Sequence, residues 1–307
     1  MNVLVVGATG DVGKEAAKIA VEKGHNLKAL VRSASNRDKL GPAKNSIEFF
    51  EGDMLDRASV ELAMGAVEAV IISIRLNQEE MQKGRTFEAV EQDGVINVVE
   101  AAGQKGVKKI IFISADGVGP DCVSDMFQAK FQSEEAIRNS GMDYTIFRPS
   151  AMYKDFDFFH IPNVLKLGET DMWPMGPVEI HMTPLSHIDL AECMVDALTN
   201  PAASNRTLSI GGPESITQGE LLNMIAKEAG INAIYTRGVS KEQLIEGIKK
   251  NPRSGFFTPE QLQDFISDSI IDYKPIKDIF NIEFQRVGDY IQKAVPKVKA
   301  ALAQQAK

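Results

Sequence analysis

Two cysteines, Cys122 and Cys193, stand far apart in 307 residues and in no CxxC spacing. That scarcity argues against a disulfide scaffold or a structural zinc site and fits a reducing compartment. No run approaches the roughly 18 consecutive apolar residues that a helical membrane span requires. Nor is there an excess of basic charge, because 34 Lys and Arg face 42 Asp and Glu for a formal net charge of −8. A nucleic-acid partner is disfavoured on that ground, since phosphate backbones are met by a basic face. The basic stretch VPKVKAALAQQAK reads as a solvated helix. HExxH, a clustered Cys/His pair and the GxSxG elbow are all missing, so no metal site or serine nucleophile is expected. No basic leader precedes the apolar run that starts at residue 2, and the expected location is cytoplasmic.

What is present begins with that run. Asn2 to Val6 (NVLVV) is short, valine-rich and bounded at once by glycine, the pattern of a strand buried on both faces of a parallel sheet. Gly7, Gly10 and Gly13 follow at GxxGxxG spacing, and VGKEAAKIAVEKG continues as a helix. Glycine at these points permits a sharp turn, close approach of a pyrophosphate and tight packing of helix on strand. The helix N-terminus then presents free N–H groups to the phosphates. Gly7, Thr9, Gly10, Asp11, Val12 and Gly13 are therefore candidate cofactor-binding residues. The next strand, LKALVR, ends at Arg32, with Arg37 close behind. An acid at that point would hold a ribose 2′-hydroxyl, whereas a guanidinium forks onto a 2′-phosphate. The expected cofactor is NADP(H) rather than NAD(H).

Strand and helix patterns alternate through IEFFEGDMLD, VEAVIISI, FEAVEQDGVINVVEAAGQKG, VKKIIFISADGVG and DYTIFRPSAMY. Such alternation predicts an α/β fold, a doubly wound parallel sheet with ligands at the carboxyl ends of its strands. Asp53, Met54, Ser73, Ile74, Ser114 and Pro149 lie at or beside those ends. Beyond Pro149 the texture becomes irregular and then helical. The expected division is a nucleotide-binding domain over 1–150, its sheet completed by about 182–212, and a smaller, mostly helical lobe over 151–181 and 213–307. That lobe is expected to carry substrate choice, with Ser215 or Thr217 and Thr258 as helix caps.

Taken together, GATGDVG, VRS, GDMLD, ISADGVG, AKFQSEEAIRNSGMDYTIFRPS, SHIDLAECMVDAL and LSIGGPESITQGEL resemble the atypical short-chain dehydrogenase/reductase group, and within it the NmrA-like members. The resemblance implies a Rossmann fold, NAD(P) on the glycine loop and second strand, Asp53 at the adenine, and Ser73 and Ile74 along the cofactor. It also implies a catalytic serine, matched by Ser114, and a Tyr-x-x-x-Lys pair whose lysine is Lys130. Met126 stands where that tyrosine belongs, and a thioether cannot act as an acid. Tyr153, just past the strand DYTIF, is the candidate replacement near an expected substrate mouth. His160, His181 and His187 are weaker candidates, since a lone histidine is more often structural.

Three functions follow from these residues. One is an NADPH-dependent oxidoreductase of a small carbonyl, quinone or enone compound. Another is a non-catalytic NADP(H) sensor that docks a regulatory partner protein; in either case the chain is expected as a monomer or a homodimer. The third, a sugar-nucleotide epimerase or dehydratase, is disfavoured by the missing tyrosine.

Overall fold

The computed structural model describes residues 1–250, 262 and 266–305. The chain forms two compact units. Unit 1 comprises Met1–Pro149, His187–Ser209 and Lys274–Ile282, and unit 2 comprises Ser150–Ser186, Ile210–Tyr273 and Glu283–Lys307. The segment Lys274–Ile282 thus returns to unit 1, which the sequence-based division did not anticipate.

Unit 1 is built on β1 (Asn2–Val6), α1 (Asp11–Glu22), β2 (Asn26–Val31), β3 (Ile47–Glu51), α2 (Arg57–Ala63) and β4 (Ala69–Ile72). It continues with α3 (Gln78–Gln82), a π-helical turn at Glu88–Asp93, α4 (Gly94–Gln104), β5 (Lys109–Ile113), α5 (Asp125–Arg138) and β6 (Asp143–Pro149). The strand Arg206–Ile210 completes a seven-stranded sheet of order β3-β2-β1-β4-β5-β6 and then that strand. β1 pairs parallel with β2 (Val3 opposite Leu27) and with β4 (Val3 opposite Ala69). The pairs β2–β3, β4–β5 and β5–β6 are parallel as well.

The apolar character of NVLVV explains its central place. Val3, Leu4 and Val5 are fully buried, and each such side chain contributes about 1.5–3 kcal/mol by leaving water. Helices cover both faces. α2 and α4 close the core around Val60, Val70, Val98, Phe112 and Ile146, and α1 packs against the helix His187–Asp196. Because β2 and β3 lie on one side of β1 and β4 on the other, the strand order reverses between β1 and β4. In doubly wound sheets such a reversal is where ligands bind, outside the carboxyl ends of the strands.

Unit 2 has a separate core of Tyr153, Phe156, Trp173, Leu221, Ile225, Tyr235, Ile291 and Val295. The helix Gln218–Ala229 starts with a capping box in which Thr217 and Glu220 satisfy each other's backbone N–H groups, so Thr217 takes the cap role expected of it or Ser215. The expected cap Thr258 lies outside the described residues.

Candidate functional site

The glycine turn follows β1 at this reversal. Gly7 has φ +93°, and a Cβ there would sit 1.9 Å from the Ser73 carbonyl oxygen. At Gly13 a Cβ would sit 2.1 Å from the Gly7 carbonyl. No side chain fits either place, so β1, the loop after β4 and the start of α1 are held at backbone contact. Gly10 is different. It is the N-cap of α1, receives no side-chain cap, and a Cβ there would meet nothing nearer than the Gly7 oxygen at 3.3 Å. The helix therefore begins with a bare backbone end, the anion-binding arrangement. Asp11 sits in this first turn, paired with Lys14 at 3.0 Å. Thr9 and Val12 are half-buried in the same turn. Ser73 and Ile74 flank it.

A charged ring stands at the ends of β2 and β3. Arg32 donates to Glu80, which also lies 3.0 Å from Lys83 Nζ and 3.2 Å from Arg85 Nε. Arg85 in turn bonds Asp53, which also accepts from Leu55 N–H at 3.1 Å. Burial pushes the Asp53 carboxyl up, but the hydrogen bonds from Arg85 and Leu55 outweigh it and hold the group below its ordinary range. The Lys83 hydrogen bond, with Arg32 assisting against burial, lowers Glu80 likewise. Arg37 stays out of the ring. It lies over the Phe49 ring, 4.9 Å from its centroid, and pairs with Glu51 at 3.3 Å. The Met54 side chain is core, 8 % exposed and packed under Gly94. Its apolar stem is drawn inward because α4 presents a glycine at that point.

α5 carries the remaining candidates. Ser124 caps it by accepting from Phe127 N–H, which places Met126, Lys130 and Glu134 one turn apart on one side. Lys130 is buried, and its Nζ lies 2.8 Å from Glu91 Oε2, a carboxylate with no exposure. The other Glu91 oxygen accepts from Leu76 N–H at 2.7 Å. The lysine expected to hold a ribose is thus committed to an internal ion pair. Glu134 pairs instead with Arg148, at 2.9 and 2.6 Å, and with Arg138. Burial raises its carboxyl, yet Arg148 and Arg138 hold it below the ordinary range. Ser114 is 3 % exposed, with its hydroxyl beside Glu134 but outside hydrogen-bond geometry. It is a buried neighbour of that charge network. Pro149 is buried at the end of β6, its carbonyl accepting from Asp116 N–H.

Tyr153 also departs from its expected place. It belongs to unit 2, has no exposure, and donates to the Gln285 carbonyl at 2.7 Å. Apolar packing has drawn the ring inward and a backbone acceptor has satisfied its hydroxyl. His160, in the same core, is stacked on Trp173, and burial lowers its pKa to about 4. Unit 1 itself contains one tyrosine, Tyr144, which packs against the sheet core. No group of three or more His, Cys, Asp or Glu suited to a metal occurs among the described residues.

A family model described as NAD(P)H-binding matches residues 7–201. The chain belongs to this NAD(P)H-binding family. It is 24 % identical over 266 residues to an NAD(P)H azoreductase of Xenophilus azovorans, covering 87 % of this chain and 85 % of that one. A photosystem II assembly factor, Ycf39 of Trieres chinensis, is 25 % identical over 76 % of this chain and 70 % of its own length. Among solved structures, the NADPH-dependent quinone oxidoreductase QOR2 of Escherichia coli, complexed with NADPH, superposes with a TM-score of 0.74 at 18 % identity, covering 95 % and 99 % of the two chains. That likeness shows a shared fold.

The cradle fits the dinucleotide of an NAD(P)H-binding protein: two glycines that admit no Cβ, and a helix end with no side-chain cap. Glu80, Arg85, Glu91 and Arg148 were not singled out from the sequence. Glu91 left a signal there, an acid at i−4 and i−7 to Val95 and Val98 on an apolar stripe. The others left none: Arg32 lies 48 residues from Glu80 and Asp53 32 from Arg85, while Arg148 meets Glu134 from a different element.

Proposed function

We propose that this protein is an NADPH-dependent reductase of a small quinone, enone or carbonyl compound. The observation that carries the reading is the bare start of α1 beneath the Gly7–Gly13 contact, with Arg32 at the end of β2. The names of the azoreductase and quinone oxidoreductase relatives support it. When bound, NADPH supplies a hydride from its nicotinamide C4. The chain's own residues would bind and orient it: the α1 backbone N–H groups would take the pyrophosphate, Arg32 and Arg85 the adenosine end, and Ser73 and Ile74 the stretch between. With Met126 in the tyrosine's place, the proton that completes reduction comes from water, which suits acceptors whose reduced form is a stabilised enolate or quinol anion.

A second reading rests on a specific observation. Met126 replaces the acid and Lys130 is bound to Glu91, so the usual catalytic pair is absent while the cofactor cradle is intact. That combination suits a cofactor-dependent docking protein, and an assembly factor stands among the relatives. Absorbance of NADPH followed against quinones, enones and azo compounds separates the two. Turnover supports the reductase. Tight NADPH binding by fluorescence with no turnover across the panel supports the docking protein.

A further inference from the structure

We propose that Glu80 is a specificity-determining residue for the cofactor: its carboxylate engages one nitrogen of the Arg32 guanidinium and competes with a 2′-phosphate for that arginine. The inference rests on the NADP(H) reading of the cradle given above.

Arg32 directly follows β2 and its side chain is 44 % exposed, whereas that of Glu80 is only 11 % exposed. Glu80 is fixed from several directions. Asn77 caps α3 by accepting from the Glu80 N–H at 2.9 Å, and Lys83 and Arg85 hold the same carboxylate at 3.0 and 3.2 Å. Released from Arg32, that carboxylate keeps two cations, so the exchange strands no buried charge. Arg32 has five N–H donors in a planar fork, and a phosphate takes them in pairs where the carboxylate is replaced.

The charge count gives the direction. Arg32, Lys83 and Arg85 face Glu79, Glu80 and Asp53, three cations against three carboxylates. The ring is neutral before a cofactor arrives. A dinucleotide without a 2′-phosphate leaves it neutral, while a 2′-phosphate brings up to two further negative charges beside Glu80. A site selected only for NADPH would keep a net positive end. This one carries a built-in anionic competitor that weakens NADPH relative to NADH and narrows the preference Arg32 would otherwise impose.

The test uses the full-length protein and two probes of the adenosine end, adenosine 2′,5′-bisphosphate and AMP, measured by calorimetry. Glu80→Gln removes the competing charge, and the bisphosphate is expected to bind on the order of ten-fold more tightly, the scale of one charge-assisted hydrogen bond. AMP affinity should move less, within about three-fold. Glu80→Asp keeps the charge but retracts it by one methylene and should fall between, which covers the case of a Gln variant that folds poorly. Bisphosphate binding unchanged or weakened in both variants overturns the proposal. So does weakened AMP binding with the bisphosphate unaffected, which would make Glu80 a ribose-hydroxyl acceptor. Arg32→Ala separates the two readings: if it leaves the bisphosphate-to-AMP ratio of the wild type unaltered, the NADP(H) reading itself fails. If it abolishes that ratio while the Glu80 variants change nothing, the competitor alone is refuted.

Discussion

Removing the Glu91 carboxylate tests whether Lys130 is a structural cation or a cofactor ligand. In Glu91→Ala, Lys130 keeps its buried position, 6 % exposed, and loses the anion 2.8 Å away. Its remaining polar contact is the Ile113 carbonyl at 3.4 Å, with the Phe112 ring 5.6 Å off. Breaking one partner out of a buried ion pair costs about 3–5 kcal/mol, because the surviving charge is left in a low-dielectric interior. The Leu76 N–H loses its acceptor as well, which adds on the order of 1 kcal/mol. For a unit of this size each kcal/mol shifts the melting temperature by roughly 2–4 °C, so a drop of about 8–24 °C is expected. Lys130→Met should cost a similar amount through the stranded Glu91. The double variant should recover most of the loss, since a well-packed apolar replacement of a buried pair is often close to neutral. The assay is urea and thermal unfolding without any nicotinamide cofactor, read as a double-mutant cycle. A coupling below about 0.5 kcal/mol, with Glu91→Ala near wild-type stability, would refute the ion pair and return Lys130 to the cofactor.

Three other outcomes follow from the geometry. Gly13→Ala places a Cβ 2.1 Å from the Gly7 oxygen, so α1 must lift off the turn; NADPH binding by fluorescence should be lost, and retained affinity would show that the cradle is not the binding site. Tyr153→Phe removes the hydrogen bond to Gln285 and should cost about 1 kcal/mol in unfolding experiments while leaving turnover intact; loss of turnover at unchanged stability would make its hydroxyl the acid after all. For His160 the unfolded chain takes a proton below its ordinary value of 6.5, whereas the folded chain takes one only below about 4. Its contribution is therefore full above pH 6.5 and lost as pH falls towards 4, by up to about 3 kcal/mol. His160→Phe should flatten that acid limb, and an unchanged slope would refute it.

The sequence by itself determined the frame of unit 1. Valine-rich NVLVV is apolar on both faces, so it had to lie inside a sheet, and glycines at positions 7 and 13 had to meet backbone. The alternation of strand and helix patterns through residue 149 fixed a parallel sheet because each pattern is local, written in consecutive residues. The capping residues Ser124 and Thr217 are equally local. Tertiary structure decided what the polar residues do. Arg32 meets Glu80 48 residues away and Arg85 meets Asp53 32 residues away, and no periodicity links such partners. Lys130 matched a motif by its spacing to Met126, yet its charge is answered by Glu91 from another segment. Tyr153 looked accessible beyond a strand end but is packed among aromatic rings. The return of Lys274–Ile282 to unit 1 belongs to the same class. Secondary structure follows from neighbours in the chain, whereas burial and charge pairing depend on which distant segments the fold brings together.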